Sequence, residues 1–307
     1  MPQKLTLCDT IVLRAEPQYY NTYAAYDWKT SGTEFLTNQE YRALQHVYNK
    51  AADVREIATV SRMNYDTCNK FLQHMTKGGY VKTVEDVLKP SPERAIIDSE
   101  LYDQFPIPFL SAPTSVDIFV TSRCNLRCVH CFSSREDKGN RDLSIQELKS
   151  IFNQLERMGV MEVRLTGGEP LLHPEVRTLL AIIQKKRFRK VLITNGTLLD
   201  EDTVIRLKEA RVIPTVSLED VNTEEHDDFS GVTGSFKRTM TALNLLQKHG
   251  IQYGINCCLH KGNLNRCEDI IKLSIRKGAD RIAFLDLKVV GRMKKHREWV
   301  PAWNVYQ

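Results

Sequence analysis

From Ser115 onward the chain alternates short apolar or β-branched runs with longer segments whose apolar residues return every three or four positions. The short runs predict strands at Val116–Thr121, Glu162–Thr166, Lys190–Thr194, Pro214–Leu218, Gln252–Leu259 and Arg281–Val289. The clearest helical period is Ser144–Met158. It opens on Ser144-Ile-Gln-Glu147, a capping box, and places Ile145, Leu148, Ile151, Phe152, Leu155 and Met158 on one face. Six strands separated by helices predict an α/β fold with a parallel sheet, because each crossover helix covers a face and returns the chain in the same direction. In such sheets, open or barrel-shaped, the chemistry sits at the C-terminal ends of the strands.

The first third follows another pattern. Two β-rich stretches, Thr10–Ala15 and Tyr20–Tyr26, precede a helix announced by the capping box Thr37-Asn-Gln-Glu40. Helices near Asp53–Val60 and Tyr65–Lys77 come next, and Gly78-Gly79 turns the chain into a short strand, Tyr80–Thr83. Three helices and a strand predict a small winged-helix α+β domain over residues 1–88. The segment Lys89–Thr114 holds five of the eleven prolines and no clean period, so it is expected to be a linker. A second domain then spans residues 115–307.

Composition narrows the class. With 307 residues, 42% hydrophobic and 26% charged, the chain has the balance of a soluble globular protein with room for about two domains. The N-terminus MPQKLTLCDT lacks a signal-peptide layout and apolar runs are short, so the expectation is a cytoplasmic protein that does not enter a membrane. Eight cysteines in a leaderless chain point to thiols or a metal centre rather than a disulfide framework. Residues 1–100 carry 12 Lys/Arg against 13 Asp/Glu, leaving 31 against 25 for the remainder. A near-neutral front third lacks the concentrated basic face of a nucleic-acid module, so no nucleic-acid partner is expected.

The chemistry concentrates after the first parallel strand, in Thr121-Ser-Arg-Cys124-Asn-Leu-Arg-Cys128-Val-His-Cys131-Phe132. Three soft sulfur ligands on one short loop suit an iron-sulfur cluster and leave one iron open. The same three with His130 as fourth ligand also describe a zinc site. A second signal, Leu165-Thr-Gly167-Gly168-Glu169-Pro170, occupies the corresponding place one βα unit later. Paired glycines permit close backbone approach to a ligand, and a glutamate can accept hydrogen bonds from an ammonium group.

Cys-x3-Cys-x2-Cys followed by Gly-Gly-Glu-Pro on the next strand resembles the radical S-adenosylmethionine (SAM) superfamily over about residues 115–290. The resemblance implies a partial (β/α)6 barrel in which Cys124, Cys128 and Cys131 ligate a [4Fe-4S] cluster and the open iron chelates SAM. It also implies that Gly167, Gly168 and Glu169 hold the methionine amino group. Thr194 and Asn195 in Ile193-Thr-Asn-Gly196, and Ser217 in Val216-Ser-Leu-Glu219-Asp220, correspond to positions near the ribose and carboxylate. Many relatives read Ser-Leu-Asp-Gly at the latter, so Glu219 receives no assigned role. His130 corresponds to an aromatic position packing near the cofactor. Radical chemistry of this kind needs no side-chain acid or base in its first step, and no catalytic side chain is nominated.

The runs Glu225-His-Asp-Asp-Phe-Ser-Gly231, Gly234-Ser-Phe236 and Lys261-Gly-Asn263 resemble the branch that carries a C-terminal SPASM or related auxiliary-cluster domain. Such a domain needs further cysteines, yet the last here is Cys267, so by that pattern the chain is expected to be a fragment. The front domain resembles, by architecture, the pyrroloquinoline quinone peptide chaperone type of recognition element. That implies a ribosomally made precursor peptide as substrate, its leader added as a strand to the winged sheet beside the Tyr65–Lys77 helix, and an electron donor such as flavodoxin or ferredoxin. Other readings are a radical enzyme acting on a sulfatase side chain or tetrapyrrole precursor, and an iron-sulfur winged-helix regulator. Cys257-Cys258 lie on the fifth strand, so their side chains must face opposite ways. Cys8, Cys68 and Cys267 are isolated and read as structural.

Overall fold

A computed structural model describes residues 4–8, 11–16, 22–27, 30, 32–84, 112–132 and 141–301. Its packing divides the chain into two compact units, one of residues 1–116 with 152–162 and 186–189, the other of residues 117–151, 163–185 and 190–307. Residues 89–111, most of the expected linker, lie outside the described residues.

The front of the chain runs β1 (Lys4–Leu7), β2 (Ile11–Glu16), β3 (Thr22–Asp27), β4 (Thr33–Leu36), α1 (Asn38–Asn49), α2 (Val54–Ser61), α3 (Tyr65–Lys77) and β5 (Val81–Val84). The three helices and the strand after them stand where the pattern predicts. β5 pairs antiparallel with β1, which also bridges Ala52 between α1 and α2. These are the elements of a winged helix, accompanied by an antiparallel sheet in the order β2-β3-β4. The sequence shows no sign of β1 and β4 because four residues are too few to establish alternation. Thr37 and Glu40 close the expected capping box: the Glu40 amide donates to Thr37 Oγ1 at 3.3 Å and the Thr37 amide to Glu40 Oε2 at 2.7 Å. Cys68, Phe71, Leu72 and Met75 recur along α3 at helical spacing and enter one core with Leu13, Leu44 and Ile57. Cys68 behaves there as a small hydrophobe.

The remainder alternates β6 (Ser115–Thr121), α4 (Ile145–Arg157), β7 (Glu162–Gly167), α5 (Val176–Gln184), β8 (Arg189–Thr194), α6 (Glu201–Ala210), β9 (Val212–Ser217), α7 (Thr223–Ser230), α8 (Ser235–Lys248), β10 (Gly254–Leu259), α9 (Cys267–Arg276) and β11 (Arg281–Asp286). The sheet order β11-β10-β9-β8-β7-β6 is sequential, giving the parallel six-stranded sheet that the alternation predicts. No helix among the described residues is long and apolar enough to cross a membrane.

Two strand boundaries differ from expectation for a pairing reason. β9 begins at Val212, so Pro214 lies inside an interior strand. Pro214 stands opposite Leu192 of β8, and pairing to β10 starts only at Thr215, so its missing N–H breaks no bond to β10. β11 stops at Asp286 rather than Val289, since its partner β10 ends opposite it at Leu259.

Candidate active site

The C-terminal ends of β6 to β9, together with α7, border one cavity. Cys124, Cys128 and Cys131 all line it, as do Gly167, Gly168, Thr194, Asn195 and Ser217. All three cysteines are free thiols. Burial pushes the Cys124 and Cys128 thiols above their ordinary range, so a metal that binds them must displace protons.

The cysteine loop is held by main-chain bonds from two directions and by side chains at its root. The Arg127 and Val129 amides donate to the Ser230 and Phe229 carbonyls at the end of α7, each at 3.0 Å, and the Arg292 amide donates to the Cys131 carbonyl at 3.1 Å. Arg292 Nε reaches the Cys128 carbonyl at 2.9 Å. Gly231, at φ +70°, caps α7 where a Cβ would stand 2.6 Å from the Arg127 carbonyl oxygen, and Gly291, at φ +55°, meets the Cys131 carbonyl as closely. At the root of the loop, Thr121 Oγ1 donates to Asp142 at 2.6 Å and Arg123 Nε at 3.1 Å. Asn125 bonds both Asn195 and Thr197, tying the loop to the third strand end.

The glycine pair packs directly beneath. The Gly168 amide donates to the Thr121 carbonyl at 2.9 Å and the Glu169 amide to the Arg123 carbonyl at 2.7 Å. A Cβ on Gly167, whose φ is +144°, would lie 2.2 Å from Thr121 O, and one on Gly168 would lie 2.1 Å from Arg123 O. The two motifs therefore meet backbone to backbone.

Glu169, which the resemblance assigns to the methionine amino group, also binds the neighbouring strand end. It is fully buried and not among the residues lining the cavity. Oε1 accepts from Thr194 Oγ1 at 2.7 Å and the Leu171 amide at 3.1 Å, and Oε2 accepts from the Asn195 amide at 2.8 Å. Its visible work is to position Thr194 and Asn195. Burial outweighs those three donors and raises its carboxyl to about 7. The folded-state value then exceeds the unfolded one. The stability this group contributes is complete below about pH 4.5 and is lost as pH rises through about 7, up to roughly 3 kcal/mol. The stability advantage of wild type over Glu169→Gln should shrink across that window. Thermal melts of both proteins check this, and parallel curves would contradict it.

α7 contributes residues that the sequence did not assign. His226 and Ser230 line the cavity, and His226 Nδ1 accepts from the Glu219 amide at 3.2 Å, which fixes the tautomer with hydrogen on Nε2. The run Glu225–Gly231 was a visible signal, but nothing in it says which residues face inward. Glu219 lines the cavity as well, with Oε2 accepting from the Cys258 amide at 2.8 Å. Beneath it, Arg266 forks onto the buried Asp220 at 2.8 and 2.6 Å. Of the adjacent cysteines, Cys257 is fully buried against the Glu219 carbonyl, whereas Cys258 lies on the side of Glu219 and His130.

A family model described as the radical SAM superfamily matches residues 118–274, just over half of the chain. The chain belongs to the radical SAM superfamily. This is a family of enzymes whose cofactors are a [4Fe-4S] cluster and SAM. Curated relatives include the Fe-coproporphyrin III synthase of Methanosarcina barkeri, 33% identical over 57% of this chain and 44% of the relative. Another is the subtilosin biosynthesis protein AlbA of Bacillus subtilis, 30% identical over 59% of this chain and 40% of the relative. The chain thus spans less than half the length of both. Among solved structures, Streptococcus suis SuiB bound to SAM matches with a TM-score of 0.68 at 19% identity, over 94% of this chain and 65% of SuiB. SuiB has also been solved bound to its precursor peptide SuiA. At that identity the likeness concerns the fold.

Proposed function

We propose that this radical SAM enzyme modifies a ribosomally made precursor peptide recruited by its front unit. The observation that carries the reading is the reach of the likeness. The curated relatives above match a little over half of the chain, whereas the fold of SuiB, a protein with a precursor-peptide complex, matches 94% of it and so extends into the front unit.

Cys124, Cys128 and Cys131 would hold the [4Fe-4S] cluster: three free thiols of one braced loop line one cavity and leave a coordination position for SAM. Gly167 and Gly168 present bare backbone to that cavity, and Thr194, Asn195 and Ser217 offer hydrogen-bonding groups along the neighbouring strand ends. When bound, these cofactors supply a 5'-deoxyadenosyl radical that removes hydrogen from unactivated C–H bonds. The protein's task is to orient and to exclude water. The bonds from α7 and Arg292 keep the cysteine loop rigid, and buried Glu169 holds Thr194 and Asn195 in place.

The front unit carries a groove with an apolar floor of Leu5, Val54 and Leu72 and a polar wall of Asn69, Gln73 and Thr76 from α3. Among the described residues β5 is an edge of its sheet, so an extended leader can add beside it through main-chain bonds while its side chains enter the groove. Gln73→Trp, which fills the groove, should weaken binding of a labelled precursor peptide about tenfold, or roughly 1.4 kcal/mol. Peptide-independent SAM cleavage should stay at the wild-type rate. Unchanged peptide affinity in this variant would remove the groove from the account. Identity to the Fe-coproporphyrin III synthase favours a second reading, a tetrapyrrole substrate, which would leave the groove without a ligand.

A further inference from the structure

Beside the three cysteines of the loop lies another set of metal-binding atoms. His130, Glu219 and Cys258 each offer one donor atom, and the three atoms lie within 4.8 Å of one another. They come from the cysteine loop, the end of β9 and β10, segments far apart in sequence. His130 Nε2 is 3.9 Å from Glu219 Oε1, beyond hydrogen-bond reach, and its Nδ1 is buried without a partner. The ring itself is clamped by stacking on Phe229, with centroids 4.7 Å apart. A fixed imidazole with a buried, unpartnered nitrogen is uncommon in a folded protein. Glu219 commits Oε2 to the Cys258 amide and leaves Oε1 toward the histidine. Burial first, and then the neighbouring Glu219, push the Cys258 thiol far above its usual range. Two acids and an imidazole thus stand side by side.

From this juxtaposition we infer a second metal site, for one divalent ion of borderline softness such as Zn2+, ligated by His130 Nε2, Glu219 Oε1 and Cys258 Sγ. One nitrogen, one oxygen and one sulfur donor form a set that zinc accepts. With ligands at about 2.0 to 2.3 Å in a tetrahedral arrangement, neighbouring donor atoms sit roughly 3.3 to 3.7 Å apart. The observed 3.9 Å between nitrogen and oxygen therefore needs only a small contraction. The ion offsets the two acids and takes the lone pair of Nε2, leaving the ring hydrogen on Nδ1. Three protein ligands leave a fourth position open, as in catalytic rather than structural zinc sites. His130 and Glu219 both line the cavity, so the open position faces it and suits an oxygen, nitrogen or sulfur atom of a bound substrate. The site uses none of Cys124, Cys128 or Cys131, so it is separable from the cluster assignment.

The test titrates the cluster-loaded protein anaerobically with Zn2+ against a chromophoric chelator, with iron measured in parallel and the zinc K-edge spectrum recorded. Wild type should take up one zinc per chain without losing iron, and the spectrum should show one sulfur ligand. Cys258→Ser and Glu219→Gln should each weaken zinc binding at least tenfold, and Cys267→Ser, outside the set, should not. Equal affinity in wild type and both variants would overturn the site, as would no uptake. Three sulfur ligands accompanied by iron loss would also overturn it, because zinc would then occupy the cysteine loop. The wild-type spectrum decides the matter even where a variant folds poorly.

Discussion

Cys128→Ala should leave anaerobically reconstituted protein without cluster absorbance, its iron falling from about four per chain to near zero. Formation of 5'-deoxyadenosine from SAM under reduction should fall roughly a thousandfold or more, since no other group can do the cluster's chemistry. Cys128 is chosen because the loop is tied down on both sides of it: the Arg127 and Val129 amides bond α7, and the Cys128 carbonyl accepts from Arg292 Nε. Loss of one thiol should therefore remove a ligand without loosening the loop, and circular dichroism should match wild type. Retention of the cluster or of cleavage would show that the three thiols do not share one centre. Cys68→Ala, inside the front unit's core, should leave the iron content unchanged.

Gly168→Ala should be a severely damaging single-methyl change at the site. The added carbon would meet the Arg123 carbonyl oxygen at 2.1 Å, and that atom is backbone, which no rotamer change can move aside. Relief requires separating the two motifs, at the expense of the bonds from the Gly168 and Glu169 amides to the Thr121 and Arg123 carbonyls. The expected cost is about 3 kcal/mol of stability, at the upper end for overpacking. SAM affinity should fall at least tenfold, because the glycine backbone and the cysteine loop border the same cavity. Equilibrium dialysis with SAM and a denaturant melt measure the two effects separately. Near-wild-type values in both would mean that the close approach is not required.

The alternation of strands and helices was readable because each parallel strand is a run of apolar residues bounded by a cap or a glycine, and the capping boxes at Thr37 and Ser144 mark helix starts by chemistry alone. The cysteine loop and the glycine pair were equally plain, since they are local in sequence. What stayed hidden is what depends on packing at a distance. β1 finds its partner β5 more than seventy positions later, and nothing in Lys4–Leu7 by itself implies a strand. Glu169 looks like a ligand-binding carboxylate in isolation, but the donors that claim it come from β8 and the turn after it. His226 and Ser230 reach the cavity only because α7 docks its C-terminal end against the cysteine loop. Arg292 closes on Cys128 from 164 residues away.

The proposed substrate of this radical SAM enzyme is a peptide. The most direct measurement co-expresses the protein with short peptides encoded beside its gene and weighs those peptides by mass spectrometry, with the Cys128→Ala protein as control. The account predicts a mass change in one peptide that requires Cys128, accompanied by 5'-deoxyadenosine when the reaction is repeated with purified components. Unchanged peptides, together with conversion of a coproporphyrin by the same preparation, would contradict it.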